Sequence, residues 1–294
     1  MINIHDKPKC YRQKNGMTQS QSERRIFSAG LLIQILILLF LSGCGAPPEI
    51  QKKEPPPPEP KPVVKKGPVM DNIIRIGSLD LSTPRNFKIE QPHIDQIASI
   101  IAKDSLDVFT IQSVTRYPGL TSRIDIVDAL TAGTGMGNIF GENITTSGRQ
   151  MGNVVFSRYP AISHENTPYN KIQSLDFESA LQAEIDLGTR QVVVVSTEIP
   201  RKAPPADIMI CMTTLGGFRS FYNNEPVIFT GNLPYDASQR RYISCEEANI
   251  PPAAFTPRIW YATERTTMKL LRSKTVQTMV GVMSIAEFGL MRKQ

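Results

Sequence analysis

Residues 47 to 68 of this 294-residue chain carry nine prolines and no apolar periodicity, and they divide it into parts with different physical prospects. Each proline removes a backbone donor and fixes φ, so neither helix nor sheet propagates through the run. With little apolar surface to bury, the segment reads as an extended spacer. At about 3.1 Å per residue in polyproline II geometry it spans up to roughly 70 Å. Folding is therefore expected of residues 70–294, a length suited to one α/β domain or a large sandwich.

What precedes the spacer reads as an address. Six Lys/Arg and two acidic residues within 1–25 are followed by Ile26 to Leu41, almost without polar side chains, and then by Ser42-Gly43-Cys44. Charge, apolar run and small residues come in the order of an export signal. The 16-residue run falls short of the roughly 20 residues that span a bilayer as a helix. Leu41-Ser42-Gly43-Cys44 resembles the lipobox of bacterial lipoproteins. That resemblance implies a diacylglyceryl group on the Cys44 thiol, acylation by palmitate-like chains, removal of residues 1–43, and a lipidated Cys44 at the head of a disordered linker, 44–69. An uncleaved anchor with an incidental cysteine is the alternative. Gly45 and Ala46 stand where an Asp would hold a bacterial lipoprotein on the inner membrane. The expected place is then the bacterial cell envelope, at the outer membrane, facing the periplasm or the cell surface. The expected partners are the membrane, through the lipid, and an unidentified envelope protein.

The net charge of +6 does not argue for a nucleic-acid surface. Residues 1–43 hold +4, residues 44–69 hold +2, and residues 70–294 balance 22 basic against 22 acidic groups. A domain that displaces phosphate counterions needs a local excess of Lys/Arg. Composition offers none, so nucleic acid is not an expected partner. Cys10 lies within the signal and Cys44 is the lipid site, which leaves Cys211 and Cys245 as candidates for a disulfide in an oxidising compartment. Cys211 sits in the apolar run Ile208-Met209-Ile210-Cys211-Met212 and reads equally well as a buried thiol.

Along 70–294, strands and helices alternate. Residues 72–79 have the β-branched alternation of a strand, and Ile94, Ile97, Ile100 and Ile101 form one apolar face of a helix over 92–102. Further strands are predicted over 106–112, 153–157, 179–186, 191–197, 226–230, 257–261 and 278–284, and helices over 120–130 and 207–214. Gly133-Thr134-Gly135-Met136-Gly137 lacks the final glycine of a phosphate loop and reads as a mobile turn. Short β-runs with mixed connections point to an α/β sandwich.

The strand ends RIGSLDLS, LDVFTIQS, GNVVFSRYPAI, VVVVSTEIP, VIFTGNLP and AEFGLM resemble, in order and spacing, the endonuclease/exonuclease/phosphatase superfamily of metal-dependent phosphodiesterases. The likeness covers essentially all of 70–294, and its most specific piece is Gly152 to Pro160. It implies a deoxyribonuclease-like fold, two packed mixed β-sheets flanked by helices in a four-layer sandwich. It also implies a site at strand ends with a divalent cation and a His–Asp pair.

At those ends the chain departs from the family. Phosphodiester hydrolysis needs hard oxygen ligands for Mg²⁺, a base for water, and a cation for the developing charge. The resemblance places Asp80 where the family has its Asn, Ser113 at the metal-binding Glu, and Glu198 at a phosphate-contacting His. Asn232 and Pro234 replace the Asp and Asn of G-D-x-N, and Ala286 and Glu287 replace the terminal Asp and His. No catalytic position is intact on this reading, and neither His93 nor His164 lies near the strand ends that would build the site. Three carboxylates and an amide, Asp80, Glu198, Glu287 and Asn232, would still converge on a possible Ca²⁺ or Mg²⁺ site. Two functions are therefore expected in competition: a catalytically degenerate, membrane-tethered pseudoenzyme with a binding or structural role, and a metal-dependent nuclease or phosphodiesterase with a rearranged site. Cys44→Ala is expected to abolish incorporation of labelled palmitate and to release the protein from sedimented membranes; label retained by that variant would refute the lipid site.

Overall fold

The computed structural model describes residues 72–82, 88–116, 124–169, 178–199, 203–222, 225–234, 236–248, 256–262 and 268–291. The expected export signal, Cys44 and the expected spacer lie outside the described residues. Twelve strands form two six-stranded mixed sheets. The first contains β1 (Ile73–Asp80), β2 (Val108–Arg116), β3 (Gly137–Thr146), β4 (Arg149–Ser157), β11 (Met268–Thr278) and β12 (Gly281–Leu290), in the order β11-β12-β1-β2-β4-β3. The second contains β5 (Ala161–Pro168), β6 (Ser179–Asp186), β7 (Gln191–Glu198), β8 (Val227–Asn232), β9 (Cys245–Glu247) and β10 (Arg258–Ala262), in the order β5-β6-β7-β8-β10-β9.

Among the described residues only β1 with β2 and β7 with β8 run parallel. Parallel neighbours need a long crossover, supplied by helix α1 (Gln91–Lys103) in the first case and helix α3 (Pro205–Phe221) in the second. Side-chain alternation then sorts each strand. Ile74, Ile76, Val108, Val194, Ile228 and Phe288 fill the space between the sheets. Leu79, Phe109 and Ile111 pack outward under α1 and helix α2 (Ile126–Thr134), against Ile94, Ile97 and Leu130. Val193, Val195, Phe229 and Trp260 pack under α3, against Met212 and Leu215. The layers run helix, sheet, sheet, helix, and a short helix α4 (Ala237–Tyr242) follows β8.

The local signals account for most boundaries, and they also correct some expectations. The helix expected over 120–130 lies partly outside the described residues; its described part starts at Ile126, because the Asp125 side chain accepts from Val127 N and Asp128 N as an N-cap. It ends at Thr134, with Gly135 left-handed (φ 68°) at the cap, and Gly137 already belongs to β3. The 133–137 glycines are thus a helix stop followed by a strand. The helix expected over 207–214 extends to Phe221 despite Gly216 and Gly217. The strand expected over 278–284 is the tip of a hairpin, β11 turning at Met279 and Val280 into β12. Strands β3, β5 and β11 are not visible in the sequence because they are edge strands with few fully buried side chains, so apolar alternation is missing.

Ile97 is fully buried where α1 meets the first sheet. Ile97→Ala is expected to lower the unfolding free energy by about 2–5 kcal/mol through the cavity it leaves, read by chemical denaturation of the purified protein with an unchanged denaturant slope.

Candidate functional site

The two parallel pairs end at the same end of the sandwich, and there the inward-facing rows change character. In β1, Ile74 and Ile76 give way to Ser78 and Asp80; in β2, Val108 gives way to Thr110 and Gln112. In β7, Val192 and Val194 give way to Ser196 and Glu198; in β8, Ile228 gives way to Thr230 and Asn232. Because period-two alternation aims every second residue at the facing sheet, these polar groups meet across the inter-sheet space.

Gln112 holds them together. It is fully buried, and its Nε2 donates to Ser196 Oγ at 2.8 Å in the other sheet and to Thr110 Oγ1 at 3.2 Å. Its Oε1 accepts from the Ser78 hydroxyl at 3.2 Å. Thr110 donates to Thr230 Oγ1 at 3.0 Å, and Thr230 donates in turn to Val195 O at 3.2 Å. A second set lies beside it. Asn153 Nδ2 donates to Ser179 O at 3.1 Å across the sheets, the Thr197 hydroxyl donates to the same carbonyl at 3.0 Å, and Tyr169 OH meets Thr197 Oγ1 at 2.8 Å. Burial holds the Tyr169 phenol far above its usual range, so it stays protonated. The buried lining contains amides and hydroxyls that pair with one another, with Asn153 Oδ1 left over.

Gly231 shows how closely this plug is fitted. At φ 119° its conformation excludes ordinary side chains, and a Cβ there would lie 2.1 Å from Thr197 O and 2.9 Å from the Gln112 side chain. The glycine that the resemblance aligns with G-D-x-N is thus required by packing.

Acidic side chains border this plug, one buried and one half-buried. Asp80 is 4% exposed and its Oδ1 accepts from Ser82 N at 2.8 Å; its strand position registers with Gln112. Glu198 is half-buried, accepts from the Ser113 hydroxyl, and registers with Asn232. Ser113 sits at a bulge in the β2–β4 pairing with φ 58°, an uncommon conformation for a serine that turns its hydroxyl toward the second sheet. The structure therefore brings Asp80, Ser113, Glu198 and Asn232 to one end, and Pro234 follows just beyond β8.

Ala286 and Glu287 are not there. In the antiparallel β1–β12 pairing, Ile76 faces Ala286 and Arg75 faces Glu287. Glu287 thus lies five residues from Asp80 along the sheet, roughly 16 Å at strand rise. It also points to the helix side, where it pairs with Arg75 at 3.1 Å and Arg272 at 2.7 Å. Ala286 is buried between the sheets. The part of β12 at the site end is Gly281, whose Cβ position lies 3.6 Å from Asp80 O. The expected three-carboxylate cation site does not form, and among the described residues no group of three or more His, Cys, Asp or Glu could hold a metal. Two carboxylates and an amide remain on the rim.

The histidines lie elsewhere. His93 Nδ1 accepts from Glu90 N at 2.9 Å in a helix cap, and His164 is exposed on β5. Cys211 and Cys245 are reduced and buried, and burial pushes the Cys211 thiol up to about 12.

No protein-family model matches the chain, and no curated protein matches it in sequence. Solved structures do match. An endonuclease/exonuclease/phosphatase from Beutenbergia cavernae superposes with a TM-score of 0.57 at 14% identity, over 74% of this chain and 72% of that one. One from Bacteroides vulgatus gives 0.57 at 12% identity, over 74% and 99%. The human Nocturnin catalytic domain, solved with a bound sulfate anion, gives 0.55 at 11% identity, over 76% and 96%. The chain has the deoxyribonuclease-like fold. At these identities the likeness is one of fold, and the four-layer sandwich expected from the strand ends is the one observed.

Sequence reasoning noticed Gln112 only as part of a motif and passed over Ser78, Thr110, Ser196 and Thr230. The available signal was the period-two row, apolar then polar, in four strands at once. Gln112→Leu is expected to cost about 1–3 kcal/mol by leaving the Ser78 and Ser196 hydroxyls without their partner. Gln112→Glu is expected to cost more at neutral pH. Burial raises the folded-state pKa of that carboxyl, so its lost stability returns as pH falls below the folded value, which denaturation at several pH values will read.

Proposed function

We propose that the chain is a lipid-anchored bacterial envelope protein whose deoxyribonuclease-like domain serves binding or envelope structure and does not cut phosphodiesters. One observation carries this reading: at the strand ends where the fold builds a site, fully buried Gln112 ties the two sheets together through neutral hydroxyls. A hydrolytic centre needs a group that exchanges a proton near neutral pH and a cation facing the phosphate. The neutral plug offers neither, and the acidic residues beside it, buried Asp80 and half-buried Glu198, supply no cation for a phosphate. Fold alone does not carry activity.

The address supports the same reading. Among the described residues no helix is long and apolar enough to cross a membrane. On this reading Cys44 and the proline-rich run after it tether the domain and let it reach partners at the membrane surface.

The competing reading, a metal-dependent phosphodiesterase with a rearranged site, rests on Asp80, Glu198 and Asn232 sharing the rim; with Mg²⁺ or Ca²⁺ these three would supply the oxygen ligands. Incubating the lipid-free protein with DNA, RNA and a chromogenic phosphodiester in Mg²⁺, Mn²⁺ or Ca²⁺ separates the two. The expected outcome is no turnover above a metal-only blank. Metal-dependent turnover that disappears in Asp80→Asn or Glu198→Gln would overturn the non-catalytic reading.

A further inference from the structure

On one flank of the sandwich the two sheets close on each other through neutral oxygens. β3 and β5 are the edge strands there, with β4 and β6 next to them. The β3–β4 register shifts between Glu142 and Ile144, so Asn143 is the extra residue of a bulge. Asn166 lies on β5 and Ser179 on β6, and the three side chains meet. Ser179 Oγ is 2.5 Å from Asn143 Oδ1 and 2.7 Å from Asn166 Oδ1. Asn153 of β4 joins them, its Nδ2 3.1 Å from Ser179 O and 3.4 Å from Ser179 Oγ. Gly141, opposite Asn153, leaves the room for this, since a Cβ there would lie 2.7 Å from Asn166 Oδ1.

The neighbours decide which end of each amide points inward. Asn166 Nδ2 donates to Glu142 O at 2.8 Å in the facing sheet, so Oδ1 is the atom beside Ser179. Asn153 Nδ2 is committed to the Ser179 carbonyl, which leaves its Oδ1 buried on a residue 1% exposed, with no hydrogen-bond partner among the described residues. The Ser179 hydroxyl has one proton, which it gives to Asn143 or to Asn166 but not to both. One close oxygen–oxygen contact therefore holds no hydrogen, and one buried carbonyl has no donor. Both are costly, and a positive ion facing these oxygens removes both costs. Amide and hydroxyl oxygens suit a hard ion. None of the four side chains is charged, so nothing offsets the desolvation of a divalent ion, whose affinity rises with the charge of its ligands. We infer that Asn143, Asn153, Asn166 and Ser179 form a binding site for a monovalent alkali cation such as Na⁺. Bound there, the ion ties β3 and β4 to β5 and β6. It holds this flank shut beside Thr197, whose hydroxyl donates to Ser179 O at 3.0 Å.

Thermal melting of the purified full chain tests the site, with Na⁺ exchanged for choline at constant chloride and ionic strength. Sodium at several times its dissociation constant is expected to raise the melting temperature by about 2–4 °C over choline, with a saturating dependence. Asn143→Ala and Asn166→Ala each remove one oxygen ligand at a half-buried position. Both variants are expected to melt cooperatively in choline and to lose most of the sodium shift. Sodium NMR line broadening by the parent chain, lost in the same variants, reads the binding itself apart from stability. Equal melting temperatures in sodium and choline, without broadening, would mean that water completes the cluster. A sodium shift undiminished in both variants would place the ion elsewhere. A shift given by micromolar Ca²⁺ and not by sodium would make the site divalent. Each of these three results overturns the proposal.

Discussion

The protein depends on how two sheets close against one another. Their inner faces share one apolar layer, from Ile74 and Ile76 through Val194 and Ile228 to Phe288, and this supplies most of the drive for the sheets to meet. Toward one end the same layer must accommodate polar side chains without water. Gln112 makes that possible by reaching Ser196 across the gap while holding Ser78 and Thr110 on its own side. A buried amide left unpartnered would be costly, so the whole set stands or falls together. Gly231 belongs to it as well, since any side chain there would displace either Gln112 or the β7 backbone.

That arrangement explains why a shared fold need not bring a shared activity. The scaffold, with its parallel pairs and crossover helices, delivers four strand ends to one place. What those ends carry is independent of the scaffold, because a Ser or Thr fits the same inward position as a titratable group. An ion-pair cluster lies elsewhere. Arg75, Arg272 and Glu287 form it on the helix side of the first sheet, beside Asp107, whose carboxyl burial holds above its usual range.

Much of the fold was legible in sequence wherever one face of an element is buried. The isoleucines of α1 and the β-branched runs of β1, β7 and β8 show their periods because their faces differ in solvent exposure. The edge strands β3, β5 and β11 do not, since their side chains meet water on much of both faces. The candidate site was legible in part. Asp80, Ser113, Glu198 and Asn232 were found at strand ends by resemblance, but Ala286 and Glu287 were placed there wrongly by reading the terminal strand without its register.

The sequence by itself determined that residues 47–68 carry nine prolines, that residues 70–294 carry no net charge, and that no histidine stands at the predicted strand ends, because residue identity and charge balance need no partner to be known. Only the tertiary structure decided which polar residues meet. Strand pairing and side-chain parity set that: a shift of five residues along an antiparallel ladder sends Glu287 to the opposite face and far from Asp80. Gln112, unremarkable in the chain, becomes the group on which both sheets converge.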